Sequence, residues 1–235
     1  MFKNKVCVIT GGACGIGKTI AEEFLKQHAK CYVIDIVEGN HFVGDISNKE
    51  TLESFVRYVI EKEGKIDFLI NNAPPIMKGI DDCSYEEFNY ALSVGVTAPF
   101  YFTKLFLPYF NEGACVINIS SSRDRMSQPQ TESYTASKGA IAALTHSLAV
   151  SLSHKVRVNS ISPGWINTTE EFIGDELDHL QHPSGRIGKT IDIANLVLFL
   201  CSDQASFING ENICIDGGMT KQMIYHNDYN WILKK

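Results

Sequence analysis

The chain has 235 residues, 44% of them apolar and 20% charged, with 21 Lys and Arg against 27 Asp and Glu for a net charge of −6. That composition excludes a disordered chain and a disulfide-stapled miniprotein, and it argues against nucleic acid as the main partner. Phosphate binding needs concentrated cation, and the sequence offers no basic cluster beyond the terminal Lys234-Lys235 pair.

At about 100–200 residues per domain, the length leaves one large domain or two small ones. The seven cysteines are odd in number and show no C-x-x-C spacing. They are expected to be reduced, mostly buried small hydrophobes in a cytoplasmic protein. The start, MFKNKVCVITGG, has a short apolar run ending at Gly11-Gly12 and does not read as a signal peptide. No stretch approaches the roughly 18 apolar residues of a membrane span.

In chain order, short β-branched runs at Val6–Thr10, Cys31–Ile36, Ile66–Ile70, Cys115–Ser120, Val156–Ser162 and Ile213–Ile215, with a weaker one at His41–Val43, predict strands. Their near-continuous apolarity is what strands need when helices cover both sheet faces. Helix-period segments lie between them, the first over Ile16–Gln27. Ser47-x-x-Glu50, Ser84-x-x-Glu87 and Thr168-x-x-Glu171 each read as a capping box that opens a helix. Strand and helix alternating along the whole chain predict a doubly wound parallel sheet with helices on both faces. No linker, repeat or low-complexity stretch divides it, so residues 1–235 read as one domain with a tail over 219–235. The segment Glu170–Lys189, with three glycines and Pro183, reads as a mobile helical insertion or lid.

The first strand runs into TGGACGIG at 10–17 and then a helical pattern. Glycines there permit a tight turn and let backbone N–H groups approach a pyrophosphate at the helix N-terminus; a ligand-free Gly-rich turn is the bland alternative. Asp35 ends the second strand, where a carboxylate can accept both hydroxyls of an adenosine ribose and repel a 2′-phosphate. No Arg or Lys lies within Ala13–Ile16 or directly after Asp35 to welcome that phosphate, so the expected cofactor is NAD rather than NADP. A simple turn-forming Asp is the alternative. Tyr134 and Lys138 are four apart in a helix-compatible run and share one face. A lysine ammonium favours the phenolate and brings a phenol towards acid/base use, although exposed Tyr/Lys pairs also arise by chance. Ser121, thirteen residues earlier, could hold a substrate carbonyl beside the phenol.

Other candidates are weaker. Arg123, Asp124 and Arg125 are either a solvated charge cluster or the rim of a substrate mouth that favours an anionic or polyhydroxyl substrate. His179-x-x-His182 lacks a third ligand at matching spacing, so no metal is expected. Asn118 and Asn159 are expected to satisfy backbone groups at strand ends.

From Val6 to Gly218 the chain resembles a classical short-chain dehydrogenase/reductase. The resemblance is carried by TGGACGIG at 10–17, Asp35, Asp45-Ile46, NNAP at 71–74, INISS at 117–121, YTASK at 134–138, RVNSISPG at 157–164 and IDGG at 215–218. It implies a seven-stranded Rossmann sheet and hydride transfer between NAD(H) and a small secondary alcohol or carbonyl. Tyr134 is implied as acid/base, Lys138 as ribose-binding and pKa-lowering residue, and Ser121 as carbonyl orienter. Gly11, Gly15, Ile16 and Gly17 would cradle the pyrophosphate, Asp45 and Ile46 flank the adenine, and Asn72 approach the ribose. Ile166 and Thr168 would contact the nicotinamide half. A homotetramer or homodimer built partly on helices at about 84–112 and 131–154 is also implied.

Two positions depart from the family pattern. Pro74 replaces the glycine of NNAG, and Gly95 stands where the family carries an Asn that holds a proton-relaying water. Water can occupy space vacated by a side chain, so weakened rather than abolished activity is expected, with Gly95→Asn raising turnover if the relay is impaired. The alternative is a nucleotide-binding sensor or scaffold whose catalysis has decayed.

Overall fold

The computed structural model describes residues 1–169 and 171–232, the side chain of Tyr229 excepted. Glu170 and the Lys234-Lys235 pair lie outside the described residues. Seven strands form one parallel sheet: β1 (Val6–Thr10), β2 (Lys30–Asp35), β3 (Phe42–Val43), β4 (Ile66–Asn71), β5 (Phe110–Ile119), β6 (Val156–Pro163) and β9 (Asn212–Ile215), in the order β3-β2-β1-β4-β5-β6-β9. All the pairings in that sheet are parallel. The order reverses between β1 and β4, and in such sheets ligands sit beyond the strand carboxyl ends at that switch point. The fold is the Rossmann-like α/β arrangement expected from the alternating pattern.

The strands are apolar on both faces because each face meets helices. On one side, Val8, Leu69, Val116 and Val158 pack with α2 (Lys49–Glu63), α4 (Ala98–Phe106) and α5 (Glu132–Ser151) through Phe55, Phe102 and Leu148. On the other, Cys7, Ile9, Ile70 and Ile117 meet α1 (Gly15–Lys26) and α7 (Thr190–Cys201) through Ile20, Phe24, Ile193 and Val197. Burying that apolar area is the main term holding helices to sheet. The cysteines are all free. Cys7, Cys115 and Cys201 are buried as expected, Cys31, Cys83 and Cys214 are half-buried, and Cys14 is exposed.

One of the three predicted capping boxes forms as read. Ser84 Oγ accepts from Glu87 N at 3.1 Å and Glu87 Oε2 accepts from Ser84 N at 2.9 Å, opening α3 (Tyr85–Leu92). At Ser47 the helix starts one residue later: Asn48 is the N-cap without a side-chain bond, and Ser47 N donates to Asp45 Oδ1. Thr168 opens no helix. The Asn167 side chain bonds Thr169 N and Phe172 O, and such local bonding competes with helix formation. The helix in that segment is the short α6 (Glu176–Leu180), with the box formed by Asp175 and Asp178. The expected insertion is pinned at its base, where β7 (Ile166–Asn167) pairs with β8 (Gly188–Lys189). The helix expected to reach about 112 ends earlier, because β5 already begins at Phe110. Asn159 bonds backbone at Ile208 and Glu211 as expected, whereas Asn118 pairs with the side chains of Asn71 and Thr145. His179 and His182 each bond backbone, at Ile187 N and Asp178 O, and the described residues hold no metal-ligating cluster.

Candidate active site

The carboxyl ends of β1, β4, β5 and β6 open onto one cleft of about 300 Å³. Its floor is the glycine turn after β1. Gly11 (φ +67°) and Gly15 (φ +55°) adopt backbone that side chains rarely tolerate. A Cβ on Gly11 would meet Ala73 Cα at 2.6 Å, and one on Gly17 would meet Gly11 O at 2.2 Å. The turn is held from β4: Asn72 Nδ2 donates to Thr10 O (3.1 Å) and Gly11 O (2.7 Å), and Asn72 N donates to Thr10 Oγ1 (3.0 Å). From β2, Asp35 Oδ2 accepts from Ala13 N at 2.9 Å and its Oδ1 accepts from Val37 N at 3.1 Å. The α1 N-terminus therefore faces the cleft with a bare, rigid backbone, which fits the pyrophosphate of a dinucleotide.

Gly11, Gly15, Ile16, Asn72, Ser121, Tyr134, Lys138, Ile166 and Thr168 all line this cleft. Gly17, Asp35, Asp45 and Ile46 do not. Gly17 is a packing position beneath the turn. Asp45 accepts from Ser47 N and Tyr90 Oη, and the Ile46 side chain is buried in the core at 6% exposure. Six further residues line the cleft, Cys14, Pro74, Ile119, Ser120, Pro163 and Gly164; the sequence does not mark them as site residues, although Pro74 stands out as a departure from the family pattern.

Tyr134 and Lys138 project from one face of α5, with Lys138 Nζ 5.4 Å from the Tyr134 ring centroid. Lys138 is 4% exposed and donates to Ile119 O at 2.7 Å, while Ser120 Oγ donates to Lys138 O at 2.8 Å. Burial lowers the Lys138 ammonium to about 8. Burial also pushes the Tyr134 phenol up; the Ser121 hydroxyl and the charge of Arg123 pull it back down. Ser121 Oγ in turn accepts from Arg123 N at 3.2 Å. The three residues, separated by up to 17 positions, thus share one corner of the cleft, with Ser121 and Lys138 buried and Tyr134 half-buried.

Gly95 lies in a π-helical turn, Ser93–Thr97, joining α3 to α4. The space beside it is filled. A Cβ on Gly95 would meet Ser137 Cβ at 2.8 Å and Pro75 Cγ at 3.2 Å. This corrects the expectation that an Asn side chain has left room for water: α5 and the second proline of the Pro74-Pro75 pair close it.

A family model described as enoyl-(acyl carrier protein) reductase matches residues 11–220. An uncharacterized oxidoreductase of Thermotoga maritima is 39% identical, the match covering 96% of this chain and 99% of that protein. The NADP-dependent (R)-specific alcohol dehydrogenase of Lentilactobacillus kefiri is 32% identical over 94% of this chain and 98% of its own. Among solved structures, an apo SCOR enzyme from Clostridium thermocellum superposes with a TM-score of 0.92 at 44% identity, covering 99% of both chains. The sheet order, the glycine turn and these matches agree: the chain belongs to the classical short-chain dehydrogenase/reductase family of oxidoreductases, whose members bind a nicotinamide cofactor.

Proposed function

We propose that this protein transfers a hydride between NAD(H) and a small secondary alcohol or carbonyl compound. The observation that carries this reading is the meeting of Ser121, Tyr134 and Lys138 in the cleft that the glycine turn opens. The nicotinamide, when bound, accepts or supplies the hydride. The chain's own residues handle the proton. In the oxidative direction Tyr134 Oη takes the hydroxyl proton as the carbonyl forms; in the reductive direction it returns that proton to the carbonyl oxygen. Ser121 Oγ holds this oxygen against the phenol, and Arg123 N orients the serine. The buried Lys138 ammonium holds ribose hydroxyls and favours the phenolate. Gly11, Gly15 and Ile16 hold the pyrophosphate, Gly17 lets the turn close, and Ile166 and Thr168 meet the nicotinamide half.

Asp35 supports NAD over NADP, because its carboxylate would repel a 2′-phosphate and no cation pairs with it among the described residues. In our reading Asp45 and Ile46 bound the adenine side, and the active form is a homotetramer or homodimer in the cytoplasm. Turnover of alcohols and ketones with NAD(H), compared with Tyr134→Phe, tests the assignment. The wild type is expected to turn over, and the variant to lose about 10²–10⁴-fold in rate while still binding NADH. Equal rates in both would overturn the role of Tyr134. NADPH binding tighter than NADH would overturn the cofactor, and nucleotide binding without turnover on any substrate would favour a sensor.

A further inference from the structure

Two residues beyond Ser121 stands an arginine whose surroundings differ from those of the other cation in its turn. The turn Ser122–Asp124 follows β5 and packs on α5, the helix of Tyr134 and Lys138. Asp124 fixes it. The Asp124 side chain is only 3% exposed and accepts from Arg125 Nε at 2.7 Å, from Ser162 Oγ at 2.8 Å and from Asn212 Nδ2. Arg125 is therefore paired in bidentate fashion with a carboxylate that is itself tied to β6 and β9.

Arg123 has no such partner. Its Nη2 donates to the neutral side chain of Gln128, which sits on the exposed stretch 125–130. Its Nη1 is buried and has no hydrogen-bond acceptor among the described residues. No carboxylate pairs with it among them. Its main-chain N–H meanwhile bonds the Ser121 hydroxyl, and its charge acts on the Tyr134 phenol. A guanidinium with a shielded, unpaired amine is a cost that a buried anion would remove, and its planar fork matches a carboxylate.

We propose that Arg123 selects the substrate by receiving a carboxylate carried on the same small molecule as the reacting carbonyl or hydroxyl, so that the natural substrate is a short oxo or hydroxy acid. The neutral Gln128 amide gives way as the acid enters. This assignment rests on the hydride-transfer reading of the site and names its substrate class.

The test is binding of short 2-oxo and 3-oxo carboxylates and of their methyl esters to the NADH-loaded protein, read by thermal shift and by titration. The wild type is expected to bind at least one acid about ten- to a hundredfold more tightly than its ester, the range for a lost hydrogen bond to a charged group. Arg123→Gln is expected to abolish that preference while NADH and ester affinities stay unchanged. Arg123→Lys, which keeps the charge without the fork, should retain part of it. A wild type that treats every acid and ester alike overturns the proposal, as does a preference that persists in both variants. Binding is read without turnover. Failure here therefore leaves hydride transfer standing, whereas acid selectivity without hydride transfer on any acid or ester would overturn the oxidoreductase reading, and with it the acid's role as substrate.

Discussion

A methyl group placed on Gly95 would lie 2.8 Å from the Cβ of Ser137, closer than two such carbons pack. The π-helical turn brings α3 and α4 so near α5 that only glycine fits. Ser137 is locked in turn, its Oγ donating to Ala91 O at 3.1 Å and Ser133 O at 2.9 Å. Pro75, the neighbour of Pro74, closes the same space from the β4 side.

Gly95→Asn is therefore expected to lower both turnover and thermal stability, by about 1–3 kcal/mol of overpacking. Pairing it with Ser137→Gly, which removes the opposing Cβ, should recover part of the loss. Melting temperatures of the two single variants and the double variant measure the coupling. A Gly95→Asn protein of unchanged stability and faster turnover would show that the space is open after all.

Lys138 is held as a cation where burial opposes it. Its ammonium falls from the ordinary 10.5 to about 8 on folding. Between these values the unfolded chain binds more protons than the folded one, so stability should rise with pH from about 8 to 10.5. The shift corresponds to about 3 kcal/mol, of which the lost bond to Ile119 O returns about 1 kcal/mol on substitution. Lys138→Met is expected to abolish turnover, raise the melting temperature at neutral pH by several degrees and flatten the alkaline rise. A destabilised Lys138→Met protein would count against the cost of that buried charge.

Asp35 does two jobs that one substitution can separate. Its bond from Ala13 N braces the glycine turn and its bond from Val37 N fixes the end of β2, while its charge is what we propose discriminates between the nucleotides. Asp35→Asn keeps one of the two acceptor oxygens while removing the charge, so the ratio of NADH to NADPH affinity should fall about tenfold with a smaller drop in melting temperature than Asp35→Ala gives. Asp35→Ala should lower both. Fluorescence titration with the two nucleotides measures the ratio; an unchanged ratio in both variants would remove Asp35 from cofactor choice.

For Asp124, burial alone would raise the carboxyl, but the bonds from Arg125, Ser162 and Asn212 together hold it below the usual range. Its stabilising contribution is present above the unfolded value and fades as pH falls towards the folded one. Asp124→Ala is expected to cost about 2 kcal/mol at neutral pH and to make the acid limb of a denaturation profile shallower. Urea titrations from neutral to acid pH would show it. An Asp124→Ala protein as stable as the wild type would mean the turn does not depend on this anchor.

Much of the sheet was legible because strands covered on both faces must be apolar throughout. Val6–Thr10 matches its strand end for end, and Ile66, Val156 and Ile213 fall where their strands run. Helix starts were less legible. Ser84 caps because Glu87 reaches back to it, whereas Ser47 and Thr168 carry the same pattern beside Asp45 and Asn167, whose side chains take the local bonds first. Asn118 shows the same limit: its position at a strand end was readable, but its partners Asn71 and Thr145 come from distant parts of the chain.

By itself the sequence determined the family, the parallel sheet and the presence of Ser121, Tyr134 and Lys138, because these follow from periodicity and fixed spacing along the chain. The tertiary structure decided what the odd residues mean. Gly95 is a contact with Ser137 and Pro75 rather than a vacated pocket, and Arg125 is neutralised while Arg123 is not. Those distinctions depend on which atoms from separate segments come within a few ångströms, and local pattern carries no record of such distances.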